Sequence, residues 1–556
     1  MPPRRARAVS TAEKPAPRSR ATKRASSPES EEAAPPAKRV LRAAPANVEK
    51  PKVNGKANGK VNGKAKATTD EKAKPEKGKA PTRVRKVPQA VNPLPAIPQH
   101  YRPPLNLFTW GSGEMSQLVM DYNEELSKPR KNAFVSEKIE EGVFGEDHAG
   151  LESVAAGGLH TLLLDEKGTI WSCGTNDNGA LGRVTVNVPD PNNDAFSIEV
   201  DEKTKDPVWK PVPIHSLIEE EFRAVKIIAG DSFSAAISDE GELRAWGAFA
   251  GNQGLVGFSS HAKKQYKPVP IIDLKHEKIV AAAAGNNHLL LLTTLGNIYT
   301  LGTGEEGQLG RRVIERRKIS GTAPEKIVIG TRSRKAIAIG AGNNHSFAVD
   351  SEGNTWGWGV NSKGQTGTGV ADAHIDREVH SPKRVIGLSR EELGGSRVVQ
   401  IAGGDLHTLF LVSDGRVFAC GLSEEGRLGL ADDHPAFEDR KYPDFLPEPV
   451  QVLFPDANDP VVHIAVGTNN NLAVTAGGAM YSWGRQVVGE LGLGDSDLDF
   501  QRTPAVVVRK EGGKWAAVSA SAGGQHCLAL LRSKDQDPVP VGPKRPDHPD
   551  APKAKP

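Results

Sequence analysis

Five histidines in this chain occupy one place in a recurring small-residue turn of the form A-G-x-x-H. They are His160, His288, His345, His407 and His526, and Phe233 and Asn470 hold the equivalent place in two further copies. An imidazole titrates near neutrality and can serve as a base, a proton relay or a metal ligand. Repetition argues against a joint site of that kind, because one histidine per repeat is carried around the array instead of converging on one ion. The expected role is to satisfy buried polar groups at the turn. The residue after the key glycine of each turn varies more: Gly158, Asp231, Asn286, Asn343, Asp405, Thr468 and Gly524. Two carboxylates among neutral groups would offer acceptors to a basic partner surface. The run "GTGEEG" at 302–307 satisfies G-x-G-x-x-G. It stands between two strand-like runs with no helix to receive a pyrophosphate, so it reads as a turn. No Walker loop, nucleophile elbow or HExxH occurs. Cys173, Cys420 and Cys527 are far apart and in no zinc or CxxC spacing. Neither a metal, nor another cofactor, nor a disulfide framework is expected.

The elements that must position these residues follow from the repeat itself. The key glycines are Gly157, Gly230, Gly285, Gly342, Gly404, Gly467 and Gly523, spaced by 55 to 73 residues. After each turn comes a short apolar run such as "TLLLD", "LLLLT" or "TLFLV", then a tight turn such as "DEKG" in which glycine supplies positive φ. A second strand-like run follows ("TIWSCG", "ELRAWG", "NTWGWG"), then a G-x-L-G-like corner, a variable excursion, and a Pro-containing segment such as "KPVPI" or "TPAVV". Proline there suits an edge strand, whose outer side needs no ladder N–H. About four short strands per unit, seven times over, predict an all-β, seven-bladed β-propeller. The ends predict its closure. "LFTWGSGEMSQL" at 107–118 has a corner but no preceding turn, and "SAGGQHCLALL" at 521–531 has a turn but no following corner. Together they complete one blade and remove an open sheet edge.

Charge divides the 556 residues unevenly. Residues 1–100 hold 24 Lys and Arg against 8 Asp and Glu, leaving 48 against 60 in the rest. A basic tail on an acidic body implies two kinds of partner. Residues 1–103 are poor in aromatics and include "NGKANGKVNGKAK", so they are expected to be disordered, as is 534–556, with the propeller spanning 104–533. Lys23 and Arg24 in one cluster, and Lys38 and Arg39 in another, have the spacing of a bipartite nuclear-import signal, and can also contact DNA phosphates. No apolar leader and no run of about 18 apolar residues is present, so neither secretion nor a membrane is expected.

The blade wording "AGGLHTLLLDEKGTIWSCGTNDNGALG" at 156–182, repeated along 105–533, resembles the regulator of chromosome condensation repeats, the propeller of the nucleotide exchange factor for the small GTPase Ran. That resemblance implies a nuclear, chromatin-associated guanine nucleotide exchange factor. Its partners would be a Ran-like GTPase, nucleosomes and DNA, and an import receptor. It acts without covalent chemistry, by binding the nucleotide-free GTPase better than the loaded one. By motif position the GTPase contacts fall on His160, Asp231, Asn287, Arg311, His407 and His526. Asn287 stands where the family often has an aspartate. In five corners the landmark glycines are five apart, as in Gly174 to Gly179, whereas in the third blade Gly247 to Gly254 spans seven. The extra residues lie in "AFAGNQG", which looks like the family's β-wedge: Phe249, Ala250, Gly251, Asn252 and Gln253. Ala250 and Gly251 replace the Arg-plus-polar pair often found there. The alternative is a chromatin-binding propeller scaffold without exchange activity, which those departures favour.

Overall fold

The structure is a computed structural model that describes residues 89–542, apart from 122–123, 191–192, 253, 259–261, 314–321, 370–376, 439–443 and 496. The expected site residues Lys23, Arg24, Lys38, Arg39 and Gln253, and most of both expected tails, lie outside the described residues.

Seven four-stranded antiparallel sheets are arranged as the blades of a propeller. Blade 1 is the one closed by both chain ends, and blades 2 to 7 follow in chain order. Their first strands are Leu151–Ala156, Ala224–Ala229, Ile279–Ala284, Ala336–Ala341, Val398–Gly403 and Val461–Val466. These first strands are innermost, and their ends line the axial opening. In blade 1 the inner pair, Trp515–Ala522 and His526–Ser533, comes from one end of the chain. The outer pair, Asn106–Ser112 and Glu125–Lys131, comes from the other. The register sets Trp110 opposite Cys527 and Gly111 opposite His526.

The second strand of each of blades 2 to 7 is buried along its whole length, for example His160–Asp165, His288–Thr293 and His407–Val412. Neighbouring blades cover both of its faces, which is why it reads as an unbroken apolar run instead of an alternation. The outer strands Gln265–Val269, Glu378–Arg384 and Phe500–Val508 carry the expected prolines, with Pro268 and Pro504 buried and Pro382 half-buried.

The G-x-L-G corner has a packing reason. Gly182, Gly310, Gly429 and Gly492 all have positive φ, and a Cβ there would come within 2.8–3.0 Å of the indole nitrogen of Trp246, Trp358, Trp483 or Trp110 in the next blade. Three of those indoles donate to corner carbonyls: Trp246 to Ala180 at 2.7 Å, Trp358 to Gln308 at 2.9 Å and Trp110 to Glu490 at 2.8 Å. Each corner therefore keys its blade to the following one.

Two boundaries differ from expectation. Residues 89–103 are described and docked, not disordered. Asn92 is buried and its side-chain amide donates to the carbonyls of Thr293 (2.9 Å) and Ala336 (3.1 Å). His100–Arg102 pairs antiparallel with Val539–Val541, which lies in the expected C-terminal tail. Arg102 forks onto Glu166 at 3.1 and 3.0 Å. Proline-rich composition excludes a helix in these stretches but leaves an extended chain free to pair and dock. The excursions also hold elements that the strand count did not anticipate. Helix Ala133–Glu140 is capped by Asn132, which accepts from Val135 N at 2.9 Å, and buries Val135 and Ile139. A shorter helix spans His215–Glu219, and a hairpin pairs Thr185–Asp190 with Asn193–Asp201.

The turn-and-wedge rim as candidate functional site

The A-G-x-x-H turns meet around the axis on one rim. Backbone amides link them blade to blade: Gly524 N to Gly157 O (3.1 Å), Gly158 N to Gly230 O (3.1 Å), Asp231 N to Asn286 O (3.2 Å), Asn286 N to Asn343 O (3.0 Å), Asn343 N to Gly404 O (2.9 Å) and Asp405 N to Thr468 O (3.0 Å). The close approach explains the key glycine: a Cβ at Gly523 would lie 2.2 Å from Gly157 O, and one at Gly285 2.5 Å from Gly342 O. The turns enclose a shallow axial opening of about 170 Å³.

The histidines stand one layer below, and the structure corrects their expected role as contacts. His160, His407 and His526 are buried, so their side chains cannot touch a partner seated on the rim. Each bonds the next blade instead. His160 Nε2 is 2.8 Å from Ser234 Oγ, His288 Nε2 2.7 Å from Ser346 Oγ, His345 Nε2 2.7 Å from Thr408 Oγ1, His407 Nε2 2.9 Å from Asn471 Oδ1, and His526 Nε2 2.8 Å from Thr161 Oγ1. The hydroxyls in turn donate to corner carbonyls, as Thr161 to Gln117 (2.7 Å) and Ser346 to Gln308 (2.8 Å) do. A hydroxyl that spends its proton on a carbonyl must accept from the imidazole, which assigns the proton to Nε2. Burial holds these rings neutral: His160 and His407 are pushed down to about 4, and His288, His345 and His526 to about 3. The sequence-level expectation of a structural histidine thus holds for all five.

Asp231 remains on the surface of the rim. Its carboxylate stands over Gly158, where an added Cβ would meet Asp231 Oδ1 at 2.5 Å, and Ser232 Oγ is 3.3 Å away. Desolvation by the crowded turns raises its carboxyl above the usual range, although the residue as a whole is exposed. Asp405, three blades away, is raised for the same reason and is steadied by Asn343 and the field of Arg427. Arg311 is half-buried, 3.4 Å from Glu325, with its guanidinium also 3.4 Å from the Thr300 carbonyl.

The seven-residue corner of blade 3 is a hairpin. Phe249–Gly251 pairs with Gly254–Val256, with Ala250 opposite Leu255. Phe249 is fully buried and anchors the root, whereas Ala250 and Asn252 are exposed. Phe249 therefore belongs to the core of the wedge and not to its contact surface. Asn287 turns out to serve the hairpin, since its Oδ1 accepts from Ala250 N at 2.6 Å. The rim thus brings Asp231, Asn287 and the wedge together. It excludes the three histidines, and Arg311 sits in the corner of blade 4, tied to that blade's own groups. Glu305, which accepts from Asn252 N at 3.0 and 3.2 Å, escaped the sequence reading because "GTGEEG" was weighed only against a dinucleotide loop. The signal was its place in the corner next after the wedge.

This fold and rim define a propeller of one recognisable class. The chain belongs to the RCC1-like domain family, whose pattern it matches over residues 106–529. Protein pim1 of Schizosaccharomyces pombe is 33% identical over 469 residues, covering 83% of this chain and 80% of that protein. The human regulator of chromosome condensation is 30% identical over 454 residues, covering 79% of this chain and 93% of the other. Among solved structures, Saccharomyces cerevisiae Prp20p, described with its binding properties to Gsp1p and histones, is similar at TM-score 0.65 and 29% identity, over 78% of this chain and 93% of that one. Yeast RCC1 (Prp20) bound to Kap60 is similar at TM-score 0.67 and 27% identity, over 83% and 96%.

Proposed function

We propose that this chain is a guanine nucleotide exchange factor for a Ran-like small GTPase, acting in the nucleus on chromatin. The observation that carries this reading is the wedge hairpin Phe249–Val256, whose root is tied to the turn that carries Asp231 by Ala248 N donating to Ser232 O at 3.0 Å. A relative over 412 residues, 31% identical, is named guanine nucleotide exchange factor SRM1, which supports it. The wedge displaces phosphate-side segments of the GTPase, and Asp231 accepts from a basic group that becomes available once they move. Each tenfold gain in release requires about 1.4 kcal/mol of preference for the nucleotide-free form. No bond to the protein is made or broken, so no nucleophile or general base is required of the rim.

Prp20's binding to histones and to Kap60 supports the same two partners here, through Lys23, Arg24, Lys38 and Arg39. These clusters are proposed to enter an import receptor and to neutralise DNA phosphates. Release of a fluorescent GDP analogue from a Ran-like GTPase, measured with and without catalytic amounts of the purified chain, tests the exchange reading. Release at the uncatalysed rate, with DNA binding intact, would replace it by a scaffold.

A further inference from the structure

Blade 3 departs from its neighbours at both ends of the wedge. At the root, Phe233 takes the place of the inter-blade histidine. Blade 4 presents Leu289 where the five histidine junctions present Thr161, Ser234, Ser346, Thr408 or Asn471, so the exchange strands no polar group. The freed space is aromatic: Phe233 lies 4.7 Å from Phe249, and Phe249 lies 5.0 Å from Phe258. At the tip, both carboxylate oxygens of Glu305 face Asn252 N, and a Cβ built on Gly251 would stand 3.1 Å from Thr303 Cγ2. Glu305 itself is exposed and makes no ion pair among the described residues.

A hairpin of three residue pairs has no stability of its own in water. A lever must nevertheless be stiff, because any freedom it loses on docking is subtracted from the binding energy that expels nucleotide. Resting on the exchange reading above, we propose that Phe233 and Glu305 are positioning residues that fix the aim of the wedge, Phe233 by seating Phe249 and Glu305 by holding the tip amide. Glu305 acts as an acceptor toward Asn252 N–H, and its charge is not the reason for its presence. Phe233 acts wholly from the core. Blade 4 is then part of the exchange device, as the brace for a hairpin that blade 3 carries.

The test uses the full-length chain and two readouts. Hydrogen–deuterium exchange read by mass spectrometry follows the amides of 249–256 without any GTPase. Steady-state release of fluorescent GDP separates kcat from KM. Glu305→Ala should speed deuterium uptake in 249–256 and lower kcat roughly tenfold, with a smaller change in KM and an unchanged melting temperature. Glu305→Gln keeps an acceptor oxygen and should restore most of both. Phe233→Leu, which remains apolar against Leu289, should match Glu305→Ala in uptake and kcat, with a lower melting temperature from the space it leaves in the core. Unchanged uptake in Glu305→Ala overturns the proposal, as does faster uptake with kcat intact. Loss of kcat in Glu305→Gln with normal uptake also overturns it, because Glu305 would then act through its charge on the partner. If the parent chain releases no nucleotide, the exchange reading fails, and the uptake of the variants still decides whether these residues hold the hairpin.

Discussion

His160 Nε2 donates to Ser234 Oγ across the gap between blades 2 and 3, and Ser234 Oγ passes its own proton to the Ala180 carbonyl at 3.0 Å. The same two-step relay joins blade 4 to blade 5 through His288 and Ser346, and blade 5 to blade 6 through His345 and Thr408, where Thr408 donates to Gln365 O at 2.7 Å. Each relay needs a neutral ring in a dry place.

That need makes the propeller acid-sensitive. An unfolded histidine titrates near 6.5, whereas burial holds His345 at about 3 and His407 at about 4. The folded pKa is the lower one, so the stabilisation is complete above about 6.5 and is lost as pH falls toward the folded values. Each ring contributes up to about 1.4 kcal/mol per pH unit over that window. The urea midpoint should fall steeply between pH 6.5 and 5, before ordinary carboxylates titrate. His345→Gln, whose amide can still donate to Thr408, should give a shallower dependence. A midpoint constant over that range would show that the rings are not the neutral pins described.

The docked segment around Asn92 and the clasp of His100–Arg102 with Val539–Val541 set the true edges of the folded unit. A fragment beginning at residue 89 should melt measurably above one beginning at residue 104, which loses Asn92, the clasp and the Arg102–Glu166 fork. A fragment ending at residue 515 leaves Asn106–Ser112 without its partner strand His526–Ser533. It should aggregate or fail to fold, since an unpaired apolar edge is exposed. Equal melting of the first two fragments would mean that the docked segment contributes nothing.

Much of this was legible in the chain because the repeat is written in residues that have one physical use. The buried second strand shows as an apolar run, the corner glycines that admit Trp246 and Trp358 show as G-x-L-G, and the incomplete units at 107–118 and 521–531 show the closure. The burial of the histidines was half legible: recurrence argued for structure, and only the resemblance pulled His160, His407 and His526 toward the partner. Their partners were hidden because Ser234, Thr408 and Asn471 lie one repeat away in sequence, at separations of 63 to 74 residues. The clasp was illegible for a different reason. His100 pairs with Val541, and nothing local in two proline-rich stretches marks them as partners.

The corner glycines can be tested singly. Gly310 has φ +63°, and an added Cβ would lie 2.9 Å from Trp358 Nε1, the atom that donates to Gln308 O. Gly310→Ala must either twist a left-handed turn or push the indole off its carbonyl, at a cost of roughly 1–3 kcal/mol. The melting temperature should drop while the far-ultraviolet circular dichroism at 20 °C keeps its shape. Gly513→Ala, at a glycine with no positive φ and only the Arg509 carbonyl near it at 3.6 Å, should be close to neutral. A Gly310→Ala protein as stable as the parent would remove the keying role from the corner.

Asp231 ties the rim to the proposed exchange step, and its protonation supplies the sharpest test. Crowding by the turns raises its carboxyl, with Ser232 as its one side-chain donor among the described residues, so the group is neutral over a wider acid range than a free aspartate. If the ionised form grips a basic group of the displaced GTPase segment, the bond is charge-assisted and worth about 1.5–3 kcal/mol. Asp231→Asn removes the charge but keeps an acceptor oxygen in a side chain that the exposed site tolerates, so about 1–1.5 kcal/mol of the bond is lost and nucleotide release should slow by roughly 5- to 13-fold with the melting temperature unchanged. In the parent, kcat should rise with pH through the raised pKa and level off once the carboxylate is ionised. In Asp231→Asn that rise should be absent, which separates loss of the grip from general damage. Shortening the wedge by two residues, to the spacing of the other corners, should suppress release at every pH, because it removes the lever and leaves the grip in place. A variant Asp231→Asn with the parent's rate and the parent's pH profile would place the working contact elsewhere on the rim, and a shortened wedge at full rate would take the exchange step away from blade 3 altogether.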